Sequence, residues 1–204
     1  MAQSLLTLML VSMTAFFTTV KTNISNPPLT DPGSTEVVNE DLSDILSRST
    51  ACDFVYGFDI QEIFETKSDV IGEETIKVDK FSTCAYHWTN SSSGNEEHLE
   101  LWMEVNPDNS QNKFSQNLEE TLANGELRHP MKPAEGRVTY ELVDGPGDMT
   151  IWSSETRVLR WHLKDNVYFT INLDEKTSKR KAQDDLKCLI KLANQVNERI
   201  GIQG

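Results

Sequence analysis

Residues 98–105, HLELWMEV, alternate strictly between polar and apolar side chains. Successive side chains of a β-strand point to opposite faces, so this stretch predicts a strand with one apolar and one polar face. The apolar face carries Leu99, Leu101, Met103 and Val105, and the other face carries His98, Glu100, Trp102 and Glu104. Residues 82–90, STCAYHWTN, have the same period, and the polar turn SSSGNEE joins the two runs. Together they predict a half-buried antiparallel hairpin.

Four further stretches have strand character and are separated by turn residues: 137–143, 149–154, 157–163 and 167–173. Residues 65–80 show no clear period, and we interpret them as a loop with at most one short strand. The strands are short and close together in the chain. This spacing favours antiparallel pairing in one sheet.

Helical patterns flank these strands. Asp59 with Glu62 three residues later forms a capping box, with Phe58 packing on Ile63 as a hydrophobic staple, and predicts a short helix. Phe114, Leu118, Thr121 and Leu122 share one side of a second helix, and residues 178–200 form the longest one. The sequence therefore predicts an α+β fold: a single antiparallel sheet of five or six strands, two or three helices packed on one face, and a long C-terminal helix.

The composition is that of a soluble globular chain with a strong acidic excess. Its 204 residues suffice for one domain with a core, and the net charge is −13 with an isoelectric point near 4.7. Phosphate backbones and anionic membrane surfaces repel such a chain, so we expect no nucleic-acid partner. The one dense basic run, residues 176–181, is interpreted as a solvated helix start. The oligomeric state stays open.

The N-terminus differs from the rest. Residues 4–20 are uncharged and mostly apolar, which is typical of a secretory signal peptide, and are shorter than the ~20 strongly apolar residues of a stable membrane span. No Lys or Arg precedes the run and no clean cleavage site follows, which leaves a buried helix as the alternative. We assign residues 1–22 to a signal peptide or apolar segment, 23–50 to a flexible linker and 51–204 to a single α+β domain. Export to the periplasm, envelope or medium is expected.

Three features occur together in the folded part: Cys52 just before a short helix, a C-x-Y-x-W strand at residues 84–88, and a G-x-G-D-x-x-x-W strand entry at residues 145–152. In this combination the chain resembles a broad group of bacterial exported proteins and lipoproteins of unknown function, best known from actinobacterial cell envelopes. The resemblance covers residues 50–202 and implies a disulfide between Cys52 and Cys84, but no catalytic residues. The chain departs from the group by lacking a lipidation cysteine and by carrying Cys188, whose role stays open.

Two polar features are candidates for chemistry. Asp148 follows a Gly-Pro-Gly turn, but a catalytic aspartate needs a partner, and neither of the nearest acids lies in a motif. Because Asp favours turns by bonding nearby amides, we interpret Asp148 as structural. His87 and His98 lie on neighbouring predicted strands near Glu100, the arrangement closest to a metal or acid–base cluster. We assign no catalytic residue, metal site or cofactor.

Trp102 is the stronger candidate for function. An outward-facing Trp on a sheet marks either a second covered layer or a binding surface, and Arg157 or Arg160 is placed to stack on its ring. We predict a binding surface formed by Trp102, His98, Glu100 and Arg160 for an unidentified protein or small ligand. A loop or the N-terminal arm folded over this face is the alternative.

Three classes of function follow. The first hypothesis is an exported, non-enzymatic binding domain with Trp102 in its contact surface. The rival is a small hydrolase or metal-dependent enzyme that uses His87, His98 and an acid. A cytoplasmic interaction protein with three reduced thiols is the third class, and it requires that residues 4–20 are not a leader.

Overall fold

The computed structural model describes residues 48–91, 93–106, 113–164 and 167–201, and a seven-stranded antiparallel sheet lies at their centre. Its strand order is β1-β2-β3-β9-β8-β7-β6, and β4 and β5 pair separately. The strands are β1 Ile71–Val78, β2 Phe81–Thr89, β3 Glu96–Val105, β4 Glu126–Leu127, β5 Arg137–Val138, β6 Glu141–Leu142, β7 Met149–Ser153, β8 Val158–Leu163 and β9 Val167–Leu173. The signal segment assigned to 1–22 and nearly all of the linker at 23–50 lie outside the described residues.

Three α-helices that lie wholly within the described residues pack around the sheet: α1 Gly57–Ile63, α2 Lys113–Asn124 and α3 Ala182–Arg199. The α+β fold and the long C-terminal helix are confirmed. Among the described residues, no helix is long and apolar enough to cross a membrane. The capping details differ from the expectation, because α1 begins before Asp59, whose carboxylate accepts a hydrogen bond from the Tyr56 amide at 2.6 Å. Phe58 is 59% exposed and forms no staple.

The inner face of the sheet, the side of Leu101, Ile171 and Leu159, carries the main core. These three residues lie opposite one another across β3, β9 and β8 and are fully buried. The 3-10 turn Ala51–Asp53, α1 and α3 cover this face, with Leu189 of α3 also fully buried. Each fully buried aliphatic side chain contributes about 1.5–3 kcal/mol of hydrophobic free energy.

Helix α2 lies on the outer face, the side of Trp102, Thr170 and Arg160. Leu118 of α2 packs in a second cluster with Val138, Tyr140, Ile151 and Val158. Ile151 lies opposite Arg160 in the β7–β8 pair, which identifies the face. The helices therefore occupy both faces, a correction to the single covered face expected from sequence. The main sheet contacts of α2 are with β7 and β8.

Strand β1 raises the sheet to seven strands where five or six were expected. All eight of its residues are exposed, and a β-bulge between Glu74 and Ile76 interrupts its register with β2. The bulge breaks the alternation that would reveal a strand in the sequence. The predicted strand at 137–143 is instead two short ones, because β5 pairs with β4 and β6 pairs with β7.

Buried carboxylates hold both ends of α3. At its start, Asp185 is fully buried and accepts hydrogen bonds from Arg157 Nε at 3.1 Å and Arg180 Nε at 2.9 Å. Arg180 also binds the buried Glu97 of β3 at 2.7 Å. At the other end Arg199 forms two 2.7 Å hydrogen bonds to the carboxylate of Asp59. Removing one member of a buried ion pair typically costs ~3–5 kcal/mol, so these contacts fix the position of the helix.

A disulfide joins Cys52 to Cys84, the pairing that the family resemblance implies. It attaches the turn before α1 to the middle of β2, where Cys84 is fully buried. Two hydrogen bonds reinforce the attachment: the Ala51 amide donates to Ser82 Oγ at 2.9 Å, and the Tyr86 hydroxyl donates to the Val55 carbonyl at 2.8 Å. The segment leading into the domain is thus fixed to the sheet before α1 begins.

Removal of this disulfide tests the arrangement. The two cysteines are 32 residues apart, and closing a loop of that length stabilises a folded chain by roughly 3–4 kcal/mol. The double substitution Cys52→Ala, Cys84→Ala is expected to lower the free energy of unfolding by that amount in urea titrations without reductant. Cys188→Ala is the control and should change little. Equal stability of the double variant and the unreduced wild type would contradict the expectation.

Candidate functional site

A shallow cleft of about 200 Å³ opens on the outer face, lined by Phe81, Trp102, Glu104, Arg160, Tyr168 and Thr170. The residues that line this cleft come from two neighbouring rows of side chains that run across the strands. Trp102, Thr170 and Arg160 lie opposite one another in one row, and Phe81, Glu104 and Tyr168 in the next. The cleft therefore combines strands β2, β3, β9 and β8, and we call it the Trp102 cleft.

Trp102 forms the exposed wall of the Trp102 cleft. Its side chain is 39% exposed, whereas Trp88, Trp152 and Trp161 are at most 3% exposed. The indole Nε1 donates a hydrogen bond to Glu100 Oε2 at 3.1 Å, and the Phe81 ring lies nearly perpendicular with a centroid separation of 6.0 Å. These two contacts orient the indole while leaving much of it accessible.

Arg160 lies at the opposite end of the Trp102 cleft, and its guanidinium is already paired with Glu126. Its Nη1 and Nη2 donate to the two carboxylate oxygens of Glu126 at 2.6 and 2.8 Å, and its guanidinium lies 5.1 Å from the Tyr140 ring centroid. The expected stacking of an arginine on Trp102 is therefore wrong, because Arg160 stacks on Tyr140 and Arg157 binds Asp185. Bidentate pairing positions Arg160 as a fixed part of the wall.

The pKa values of this pair follow from burial and pairing. Burial acts to raise the pKa of Glu126, but the hydrogen bonds and charge of Arg160, with Tyr140 and Arg137, outweigh it and leave that pKa below its usual value. Burial acts to lower the pKa of Arg160, and the Glu126 hydrogen bonds reverse the effect. Burial raises the pKa of the Tyr140 and Tyr168 hydroxyls. The Trp102 cleft is thus lined by a neutral Tyr168 and by Arg160, whose charge Glu126 balances from outside the cleft.

Tyr168 and Glu104 form the border with α2. The Tyr168 ring stacks on Phe114 at a centroid distance of 5.4 Å, and Lys113 forms an ion pair with Glu104. Both partners belong to the first turn of α2. The helix that packs on the outer face therefore begins at the rim of the Trp102 cleft.

His87 and His98 do meet across the β2–β3 hairpin, as expected. Their rings stack with a centroid distance of 4.4 Å and an interplanar angle of 11°, and the nearest carboxylate oxygens, of Glu96 and Glu100, lie 3.8 and 3.7 Å from ring nitrogens. The lone pairs of stacked imidazoles lie in parallel planes and do not converge on one ion. Within the described ranges, no three His, Cys, Asp or Glu side chains are grouped to hold a metal. The described residues of this cluster therefore lack the ligand geometry of a metal site.

Asp148 makes the turn contacts expected of it, and its carboxylate also lies 3.9 Å from Nδ1 of the buried His162. Its carboxylate accepts a hydrogen bond from the Lys164 amide, and its own amide donates to the His162 carbonyl at 3.0 Å. Gly147 has φ of 91°, and a Cβ there would lie 2.4 Å from the His162 carbonyl oxygen, so only glycine fits this turn. The GPGD segment holds the start of β7 against the end of β8.

Cys188 is half-buried on α3, with its Sγ 3.5 Å from the Ile63 carbonyl oxygen. Burial raises the pKa of this thiol. A raised pKa lowers the fraction of nucleophilic thiolate at neutral pH, so the position does not favour covalent chemistry.

The structure brings together three of the predicted site residues as a chain of contacts, His98–Glu100–Trp102, and places Arg160 across the same cleft. Sequence reasoning missed Phe81, Tyr168 and Glu126. Phe81 and Tyr168 depend on the register between strands, and Glu126 comes from a two-residue strand without any pattern. Glu104 was the one further cleft residue that the sequence could predict, because the alternation along β3 places it on the same face as Trp102.

No family model, no curated protein and no solved structure matches this chain. Of the surfaces described above, the Trp102 cleft combines exposed aromatic area with polar side chains held in fixed positions, as binding sites in proteins do.

The Arg160–Glu126 pair gives a pH-dependent prediction. Because the folded pKa of Glu126 is below the unfolded value of about 4.3, its stabilisation is fully present above that pH and is lost as pH falls through the folded pKa. Glu126→Gln is expected to cost roughly 1 kcal/mol at pH 7, a small value because the Glu126 side chain is 42% exposed. The variant should also lose less stability than wild type between neutral and acidic pH.

Urea titrations followed by circular dichroism at several pH values measure this effect. Glu119→Gln, an exposed glutamate on α2, is the control. If Glu126→Gln and wild type lost equal stability on acidification, the pair would not be linked to folding as described.

Proposed function

We propose that this protein is an exported binding domain that docks a protein partner on the outer face of β1, β2 and β3, with the Trp102 cleft receiving one side chain of that partner. The observation that carries the proposal is the exposure of Trp102 in an aromatic cleft while the three other tryptophans are buried. Aromatic side chains are enriched at the energetically dominant positions of protein interfaces.

The size of the Trp102 cleft favours a protein partner over a free small molecule. Pockets for small ligands usually enclose ~300–1,000 Å³ and bury most of the ligand. The Trp102 cleft has about 200 Å³, which suits one side chain presented by a larger surface. The remaining contact area must then come from the sheet around it.

Exposed apolar residues supply that area. Ile76 lies opposite Thr83, which lies opposite Trp102, and Val78 lies opposite Phe81, so Ile76 and Val78 share the outer face with Trp102. They are 47% and 64% exposed. We call Ile76, Val78, Phe81 and Trp102 the outer patch. Exposed apolar residues grouped beside a cleft are typical of a contact surface.

The acidic residues on the outer face indicate which kind of partner this surface would bind. Glu73, Glu100 and Glu104 share the outer face with the patch, and the whole chain carries a net charge of −13. Charges at the rim of an interface mainly steer association and reject partners of like charge. We therefore expect a partner with an apolar centre and a basic rim.

Export has three supports. The uncharged apolar run at residues 4–20 has signal-peptide character, the Cys52–Cys84 disulfide is of the kind that persists in oxidising compartments, and the resemblance is to exported bacterial envelope proteins. Together they favour action outside the cytoplasm.

Selected peptides test the contact surface. A phage-displayed library of random peptides is panned on the immobilised full chain, and the binders are measured against Trp102→Ala. We expect roughly thirtyfold weaker binding, because truncating a dominant interface residue costs about 2 kcal/mol. Leu142→Ala is the control, since Leu142 is an exposed apolar residue on the same face at the far edge. Binders indifferent to Trp102, or no binders at all, would contradict the proposal.

The intact mass of the protein tests export. The full gene is expressed in an export-competent host, and the mass is measured with and without thiol alkylation. We expect loss of roughly the first 20 residues and one alkylatable thiol, Cys188. An uncut chain with three alkylatable thiols would contradict export.

A further inference from the structure

The two edges of the main sheet differ in a way that points to a second interaction surface. β6, at one edge, has two residues, whereas β1, at the other, has eight residues that are all exposed. The edge of β1 that points away from β2 therefore presents a row of backbone N–H and C=O groups, and these can pair with another strand. A short edge such as β6 offers few such groups.

The bulge in β1 decides which side chains share a face. Glu74 lies opposite Cys84 and Lys77 lies opposite Ser82, both on the inner face, although Glu74 and Lys77 are three residues apart. In a regular strand, residues three apart point to opposite faces. The extra residue, Thr75, shifts the alternation by one and brings the acidic and basic side chains to the same side.

We propose that two copies of this chain associate by antiparallel pairing of β1 with β1, about a twofold axis perpendicular to the sheet between Thr75 and Ile76. In this register Glu74 of each copy lies opposite Lys77 of the other, and Glu73 lies opposite Val78. Residues that lie opposite each other across two strands must share a face, and both pairs satisfy this condition because of the bulge. Two ion pairs form on the inner face of one continuous sheet.

Charge selects this register over its neighbours. Shifting by one residue would place Glu73 opposite Lys77, which lie on different faces. Shifting by two residues so that Ile71 pairs with Val78 also matches the faces, but it places Glu74 opposite Thr75 and Lys77 opposite Gly72, so both ion pairs are lost. Opposite charges directly across a strand pair contribute roughly 0.2–1 kcal/mol each.

A bulge and a lysine on an edge strand ordinarily discourage pairing with other chains. In the self-pairing, each has a counterpart: the bulges of the two copies lie opposite each other at the axis, and each Lys77 faces a Glu74. Any other strand would need both features in the same register. The edge therefore discriminates in favour of a second copy of this chain.

The dimer would extend the outer patch. A twofold axis perpendicular to the sheet keeps the outer faces of both copies on one side, and Ile76 of each copy lies beside the axis. The two outer patches would become one strip with a Trp102 cleft near each end. The dimer does not depend on the cleft having a ligand, so its failure would leave the proposed binding function standing.

Sedimentation velocity of the full chain tests the proposal at about 0.15 M salt, where the Debye length of ~8 Å screens repulsion between the acidic bodies. We expect wild type to sediment as a dimer. Glu74→Lys or Lys77→Glu alone should weaken dimerisation roughly tenfold, because each creates two like-charged pairs per dimer. The double variant Glu74→Lys, Lys77→Glu should recover the dimer, since it exchanges the charges.

Glu73→Lys is the matched control, because in this register position 73 faces Val78 and not a charged residue. All three substituted positions are exposed, and circular dichroism checks that each variant is folded. A monomeric wild type would overturn the proposal. A dimer that survives both single charge reversals unchanged would overturn it as well, because the contact would then lie elsewhere.

Discussion

The pleat of β3 is the constraint on which the functional surface depends. Leu101 is fully buried between Cys84 of β2 and Ile171 of β9, and a buried leucine contributes about 1.5–3 kcal/mol. Once Leu101 points inward, the period of two directs Trp102 outward. Rotating Trp102 inward would expose Leu101 and its neighbours on that face. The hydrophobic core therefore holds the indole at the surface.

The helices cover the inner face of the sheet more fully than the outer face, and this difference makes the surface around Trp102 a candidate binding site. The inner face is closed by α1, α3 and the segment held by the Cys52–Cys84 disulfide, and Arg180 and Arg199 bind buried carboxylates at the two ends of α3. On the outer face α2 begins beside the Trp102 cleft and packs over β7 and β8. The described helices leave the half of that face around Trp102 to solvent, where a partner can reach it.

Sequence reasoning succeeded where one physical rule dominated. Strict alternation predicted the β2–β3 hairpin and the outward Trp102, and an apolar stripe predicted α3. It failed where two rules compete or where long-range contacts decide: the bulge hid β1, and Glu126, which binds Arg160, comes from 34 residues away in a strand of two residues. The face on which α2 packs was also unreadable, because an amphipathic helix has the same pattern on either side of a sheet.

Hydroxyl-radical footprinting of the folded full chain is the most direct measurement of whether the outer face is open. Oxidation of each tryptophan is quantified by mass spectrometry, and the three buried ones, Trp88, Trp152 and Trp161, serve as internal standards. We expect Trp102 to be oxidised well before the others, because its side chain is 39% exposed. Protection of Trp102 equal to that of the buried tryptophans would mean that the face is covered in the full chain, and would contradict a binding surface there.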